Sequence, residues 1–164
     1  MPSFELYIRN AVKHWSQVYG VAIDPALVRA VIQQESSGGV ATSSAEPGGH
    51  RSYGPMMVLD TTARALGVAD PARLKEPGLG IWYGVRILGD ELRRFAGSVD
   101  RALAAYNGGP GIVAGKAPGS FPNQTYVDRV MGYYRQFRGT ALPALGLAAL
   151  VVLFFLAARR RRAA

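Results

Sequence analysis

The chain has 164 residues, enough for one globular domain with a sizeable core and a short appendage. It contains no cysteine and only two histidines, which excludes disulfides, thiolate metal sites and cysteine nucleophiles and leaves no cluster with metal-ligand spacing. The net charge is +8, but the run Arg159-Arg160-Arg161-Arg162 supplies four of it, and the remaining +4 suits approach to an anionic polymer without arguing for nucleic-acid binding.

Residues 3–19 read as an amphipathic helix, with Phe4, Ile8, Ala11, Val12, Trp15, Val18 and Tyr19 on one side and Gly20 at its end. It lacks a basic region followed by a continuous apolar run, so it is not read as a signal peptide. His14, beside Trp15, is expected at the surface or boundary. Asp24 then supplies an N-cap, and Pro25 suits the first helical position, where a missing N–H costs nothing. Val28, Val31, Ile32 and Glu35 follow the 3, 4 and 7 spacing of one helical face. That stripe is apolar until its last member, a carboxylic acid, and Ser36-Ser37-Gly38-Gly39 stops the helix directly afterwards. An apolar wall raises a carboxyl pKa, and a glutamic acid protonated near neutrality can serve as a general acid. The plainer reading is a solvated rim carboxylate or a cap for a neighbouring helix.

Residues 36–54 form a long polar loop rich in Ser and Gly, placed to wall a cleft beside Glu35. His50 in this loop is a weak candidate for substrate contact. A short apolar segment, Pro55 to Leu59, leads to a helix capped by Asp60 and closed by Gly67. A longer helix is expected over 77–95, with Leu79, Trp82, Tyr83, Ile87, Leu88 and Leu92 available to the core. A buried helix over 99–106 ends in Tyr106-Asn107-Gly108-Gly109-Pro110-Gly111, and a last helix is expected from Asn123 to Phe137. No window shows convincing strand alternation, so the domain reads as nearly all α.

After Gly139 the composition changes. Residues 141–158 are eighteen uncharged, mostly apolar residues, near the lower limit for crossing a bilayer, and Arg159 to Arg162 follow at once. The expectation is a domain over 1–138 followed by a single hydrophobic C-terminal helix over 139–164 that anchors in a lipid membrane. The arginines would meet acidic lipid or packaged nucleic acid. The alternative is a buried C-terminal core helix.

Three signatures occur in order: Gln34-Glu35-Ser36, Ser52-Tyr53-Gly54-Pro55-Met56-Met57-Val58, and Ala104-Ala105-Tyr106-Asn107-Gly108-Gly109-Pro110-Gly111. Together with Tyr126-Val127-Asp128-Arg129-Val130, they resemble the soluble lytic transglycosylase domain of the lysozyme-like superfamily over about residues 20–137. The resemblance implies a mainly α, lysozyme-like helical domain acting on peptidoglycan glycan strands, with no cofactor and no metal. It matches Glu35 to the single catalytic glutamate and Ser36 to a serine that shapes the helix end. It matches Tyr53, Gly54, Met56 and Met57 to a segment lining the sugar cleft, Tyr106 and Asn107 to a pair facing glutamate and substrate, and Tyr126 to a late tyrosine-valine helix. Met57 stands where the family usually has glutamine, and Pro55 where it has leucine. From the residues alone, Met56 is better read as core packing.

The same resemblance implies cleavage between N-acetylmuramic acid and N-acetylglucosamine by one glutamate, giving 1,6-anhydro ends. A hydrolytic lysozyme would need a second carboxylate, for which Glu46 is the best-placed candidate, and a non-catalytic peptidoglycan-binding virion protein is a third reading. With no export signal read at the start, the expected setting is a phage virion with an internal membrane, or a bacterial envelope.

Overall fold

Asp24 and Pro25 start the helix around which the others pack. In the computed structural model, which describes residues 2–140, the Asp24 side chain accepts the Ala26 N–H at 2.8 Å and helix α2 runs Pro25–Ser36. Its stripe is buried throughout: Leu27, Val28, Ala30, Val31 and Ile32 are all at most 3% exposed. Each such Val or Ile contributes about 1.5–3 kcal/mol relative to the exposed side chain. Ser37 turns left-handed at φ 52° and ends the helix.

Helix α1 (Pro2–Tyr19) lies along α4 (Pro77–Arg94), and α2 lies along α6 (Gln124–Thr140). Helix α5 (Val99–Gly108) packs against both α4 and α6. Its small residues allow close approach, for Ala102, Leu103, Ala104 and Ala105 are all buried. Trp15 and Trp82 join α1 to α4 through a ring contact of 5.3 Å, with Tyr19 stacked on Trp15 at 5.6 Å and exposed His14 against both tryptophans. Val18, expected on the apolar side of α1, is instead 55% exposed.

The expectation of an almost strandless domain needs correction. A three-stranded antiparallel sheet forms from β1 (Ser43–Ala45), β2 (Arg51–Tyr53) and β3 (Val58–Leu59), pairing Ser43 with Tyr53 and Ser52 with Leu59. Strands of two or three residues are too short for alternation to register. The turn chemistry was nevertheless present: Pro47-Gly48-Gly49 joins β1 to β2, with φ of 74° and 79° at the two glycines. A small second core of Val58, Ala63, Val68 and Leu74 seats this sheet beside α3 (Asp60–Ala65). Among the described residues, no helix is long and apolar enough to cross a membrane. The anchor expected at 141–158 and the Arg159–Arg162 run lie outside the described residues.

Candidate functional site

Glu35 is the penultimate residue of α2 and lines a cleft of about 630 Å³. The sheet and its turns contribute Ser44, Glu46, Ser52 and Met57 to the walls, and the end of α5 contributes Tyr106 and Asn107. The long polar loop predicted as a cleft wall therefore does form one, as a β-hairpin.

Burial raises the Glu35 pKa from 4.5 to about 7, opposed by a hydrogen bond and assisted by the Glu46 charge. The hydrogen bond comes from Tyr126, whose hydroxyl donates to Glu35 Oε1 at 2.6 Å across the α2–α6 contact. Burial and the adjacent Glu35 charge keep the Tyr126 phenol well above its ordinary pKa, so it remains a donor. These two neighbours predict opposite shifts. Tyr126→Phe removes the bond that stabilises the carboxylate and moves the Glu35 midpoint above about 7; Glu46→Gln removes the repelling charge and moves it below. A ¹³C titration of the Glu35 carboxyl in both variants measures the two signs.

Tyr106 takes a different part. Its buried hydroxyl donates to the Met56 carbonyl at 2.7 Å, so it ties α5 to the segment after β2 while the residue borders the cleft. Ser36 is likewise buried: its hydroxyl lies 2.7 Å from the Pro55 carbonyl it donates to, and accepts the Gly39 N–H at 2.8 Å. The Glu35 end of α2 is thereby fixed to the turn that carries Met57.

Of the predicted site residues, the structure gathers Glu35, Met57, Tyr106, Asn107 and Tyr126 at the cleft. Met56 is fully buried against Gly84 and belongs to the core. Gly54 is buried against Leu74 and Gly80, and Tyr53 packs on the small second core beneath Lys75, so both support the site without forming its wall. His50 sits 3.2 Å from Asp60, outside the cleft lining.

Sequence reasoning passed over Glu91. This α4 carboxyl is only 7% exposed, lines the same cleft, and accepts Arg94 Nε at 3.1 Å. Burial raises its pKa, with the Arg94 charge opposing. A signal existed, because Glu91 lies three residues after Leu88 and seven after Gly84 on the buried face of α4, repeating the pattern that exposes Glu35. Two carboxylates therefore share the cleft with Glu35. Among the described residues, no group of three or more His, Asp or Glu could hold a metal ion.

Residues 11–124 match the family described as the transglycosylase SLT domain. The chain is 32% identical over 140 residues to a protein named transglycosylase from Enterobacteria phage PRD1, covering 82% of this chain and 48% of that one. Its fold is similar to the X-ray structure of an inactive mutant of the lytic transglycosylase Slt from Pseudomonas aeruginosa, with a TM-score of 0.61 and 21% identity over 81% of this chain and 24% of that one. The chain thus spans about half the length of the phage relative and about a quarter of the solved protein.

Proposed function

The chain belongs to the transglycosylase SLT domain family, and from that premise we propose that it is a peptidoglycan lytic transglycosylase with Glu35 as its acid and base. The observation that carries the reading is the Glu35 carboxyl itself, held at about pKa 7 in a glycan-sized cleft by burial and a single hydroxyl donor. A group with that midpoint populates both protonation states near neutrality, which a residue serving first as acid and then as base requires.

In the first step Glu35 gives its proton to the oxygen linking N-acetylmuramic acid to N-acetylglucosamine, and the C1–O bond breaks. The substrate's acetamido oxygen supports the positive charge at C1. The Glu35 carboxylate then takes the proton of the C6 hydroxyl as O6 closes on C1. The product carries a 1,6-anhydro ring, Glu35 is protonated again, and no water is consumed. Tyr126 holds the carboxylate in place through both steps, while Met57 offers a thioether, which recognises sugar hydroxyls less well than the amide usual in the resemblance.

Glu46 and Glu91 favour a second reading, because either could hold a water on the opposite face of the sugar and make the reaction hydrolytic. Product masses after digestion of purified peptidoglycan separate the two. Anhydro-ended fragments, lighter by one water, are expected; reducing ends alone would convert the assignment to lysozyme, and intact glycan would leave a binding protein. The phage relative supports a virion-associated or envelope setting in which the activity opens a cell wall.

A further inference from the structure

Asn107 faces the cleft, and the orientation of its amide decides whether it offers donors or an acceptor there. We propose that Asn123, just before α6, is a positioning residue that turns the Asn107 NH₂ group toward the bound glycan, where it donates to an acetamido carbonyl. This rests on the glycan-cleaving reading above.

The assignment follows from one unambiguous acceptor. Asn123 Nδ2 lies 3.0 Å from the Ala104 backbone carbonyl, which can only accept, so the Asn123 group directed at it must be the NH₂. The same nitrogen lies 2.8 Å from the Asn107 side chain. With both its hydrogens donated, Asn123 requires an acceptor from Asn107, which must present Oδ1. The Asn107 NH₂ is then directed away from Asn123. The arrangement also carries a cost that marks it as constrained: Asn123 Oδ1 is buried with no hydrogen-bond partner. Rotating the amide would bring that oxygen within reach of the Asn107 side chain but would set it against the Ala104 carbonyl, 3.0 Å away, which has no hydrogen to give.

An exposed pair of N–H donors selects an acceptor. On an amino-sugar chain the acetamido carbonyl is the strongest neutral one, whereas the ammonium of a deacetylated sugar offers donors alone. Asn107, as set by Asn123, should therefore favour acetylated over deacetylated glycan.

The test uses the full ¹⁵N-labelled chain, with tetra-N-acetylchitotetraose and its fully deacetylated counterpart as probes. In the parent, the side-chain amide hydrogens of Asn123 should exchange more slowly than those of Asn107, and the acetylated probe should bind more tightly. Asn123→Asp removes both donors, so the Asn107 amide turns to donate inward, and the acetylated-to-deacetylated affinity ratio should fall at least about tenfold, the size of one hydrogen bond. Asn107→Asp keeps both bonds from Asn123 and should lower the ratio as much, so it carries the binding test by itself if Asn123→Asp does not fold. A merely structural Asn123 would leave the ratio unchanged in its folded variant. An unchanged ratio in either folded variant, or protected Asn107 hydrogens in the parent, overturns the proposal. If neither probe binds and peptidoglycan stays intact, the glycan-cleaving reading fails, and the exchange rates still decide the amide arrangement.

Discussion

Glu35→Gln is expected to abolish clearing of a peptidoglycan zymogram, lowering turnover by about 10³-fold or more, since one proton carrier serves both steps. The amide fits the same space but can neither release nor accept the proton. The variant should also be more stable than the parent above neutral pH, and this separates lost chemistry from lost structure. Folding raises the Glu35 pKa from 4.5 to about 7, so between these values the folded chain binds more protons than the unfolded one. Stability from this group is then fully present below about pH 4.5 and lost as pH rises through about 7. At roughly 1.4 kcal/mol per unit, the parent gives up on the order of 3 kcal/mol at pH 8 that a neutral glutamine does not. Thermal melts should show Glu35→Gln ahead of the parent at pH 8, with the gap closing at pH 4. Equal zymogram clearing by the two proteins would remove Glu35 from the mechanism, and a gap independent of pH would contradict its burial as a charge.

The Glu35 helix was legible because every local preference agrees: Asp24 caps, Pro25 starts, the stripe repeats at helical spacing, and Ser37 to Gly39 stop it. What lay beyond the sequence was which hydroxyl reaches the acid. Tyr106 and Tyr126 both sit in recognisable segments, and the choice depends on α6 lying along α2, a contact spanning 91 residues of chain between Tyr126 and Glu35. The packing sends Tyr126 to the carboxyl and Tyr106 to the Met56 carbonyl. Glu91 escaped for a different reason. Its neighbours Asp90, Arg93 and Arg94 make that stretch look like an exposed charged face, and the ion pairs they form do lie at the surface while Glu91 turns inward. The β-hairpin was hidden by its brevity, although Pro47-Gly48-Gly49 named its turn. Gly54 and Met56 were placed at the sugar cleft by motif, yet their neighbours show that they hold up the wall from behind.

Gly54→Ala should therefore damage folding more than substrate contact. Gly54 has φ 82°, and an added Cβ would stand 2.2 Å from the Leu74 carbonyl oxygen, 3.0 Å from its carbon and 3.3 Å from Gly80 Cα. These are backbone atoms, and Leu74 is itself fully buried, so no side chain can swing aside. The left-handed conformation costs an alanine about 1–2 kcal/mol, and overpacking typically adds about 1–3 kcal/mol. A loss of about 3 kcal/mol or more is a large part of the 5–15 kcal/mol that stabilises a typical domain. The consequence reaches the cleft through two bonds, because the turn after Gly54 presents the Pro55 carbonyl to Ser36, beside Glu35, and the Met56 carbonyl to Tyr106. Gly67→Ala supplies the control: its φ is 90°, but nothing lies within 4 Å of the added Cβ. It bears the conformational cost without the clash, about 1–2 kcal/mol. Urea midpoints at constant slope should rank parent, Gly67→Ala, then Gly54→Ala, with activity lost in the last at temperatures where the first two remain folded. If both alanine variants unfold at the same midpoint, the close approach of Leu74 and Gly80 does not constrain residue 54, and the support it gives to the Glu35 end of α2 is lost with it.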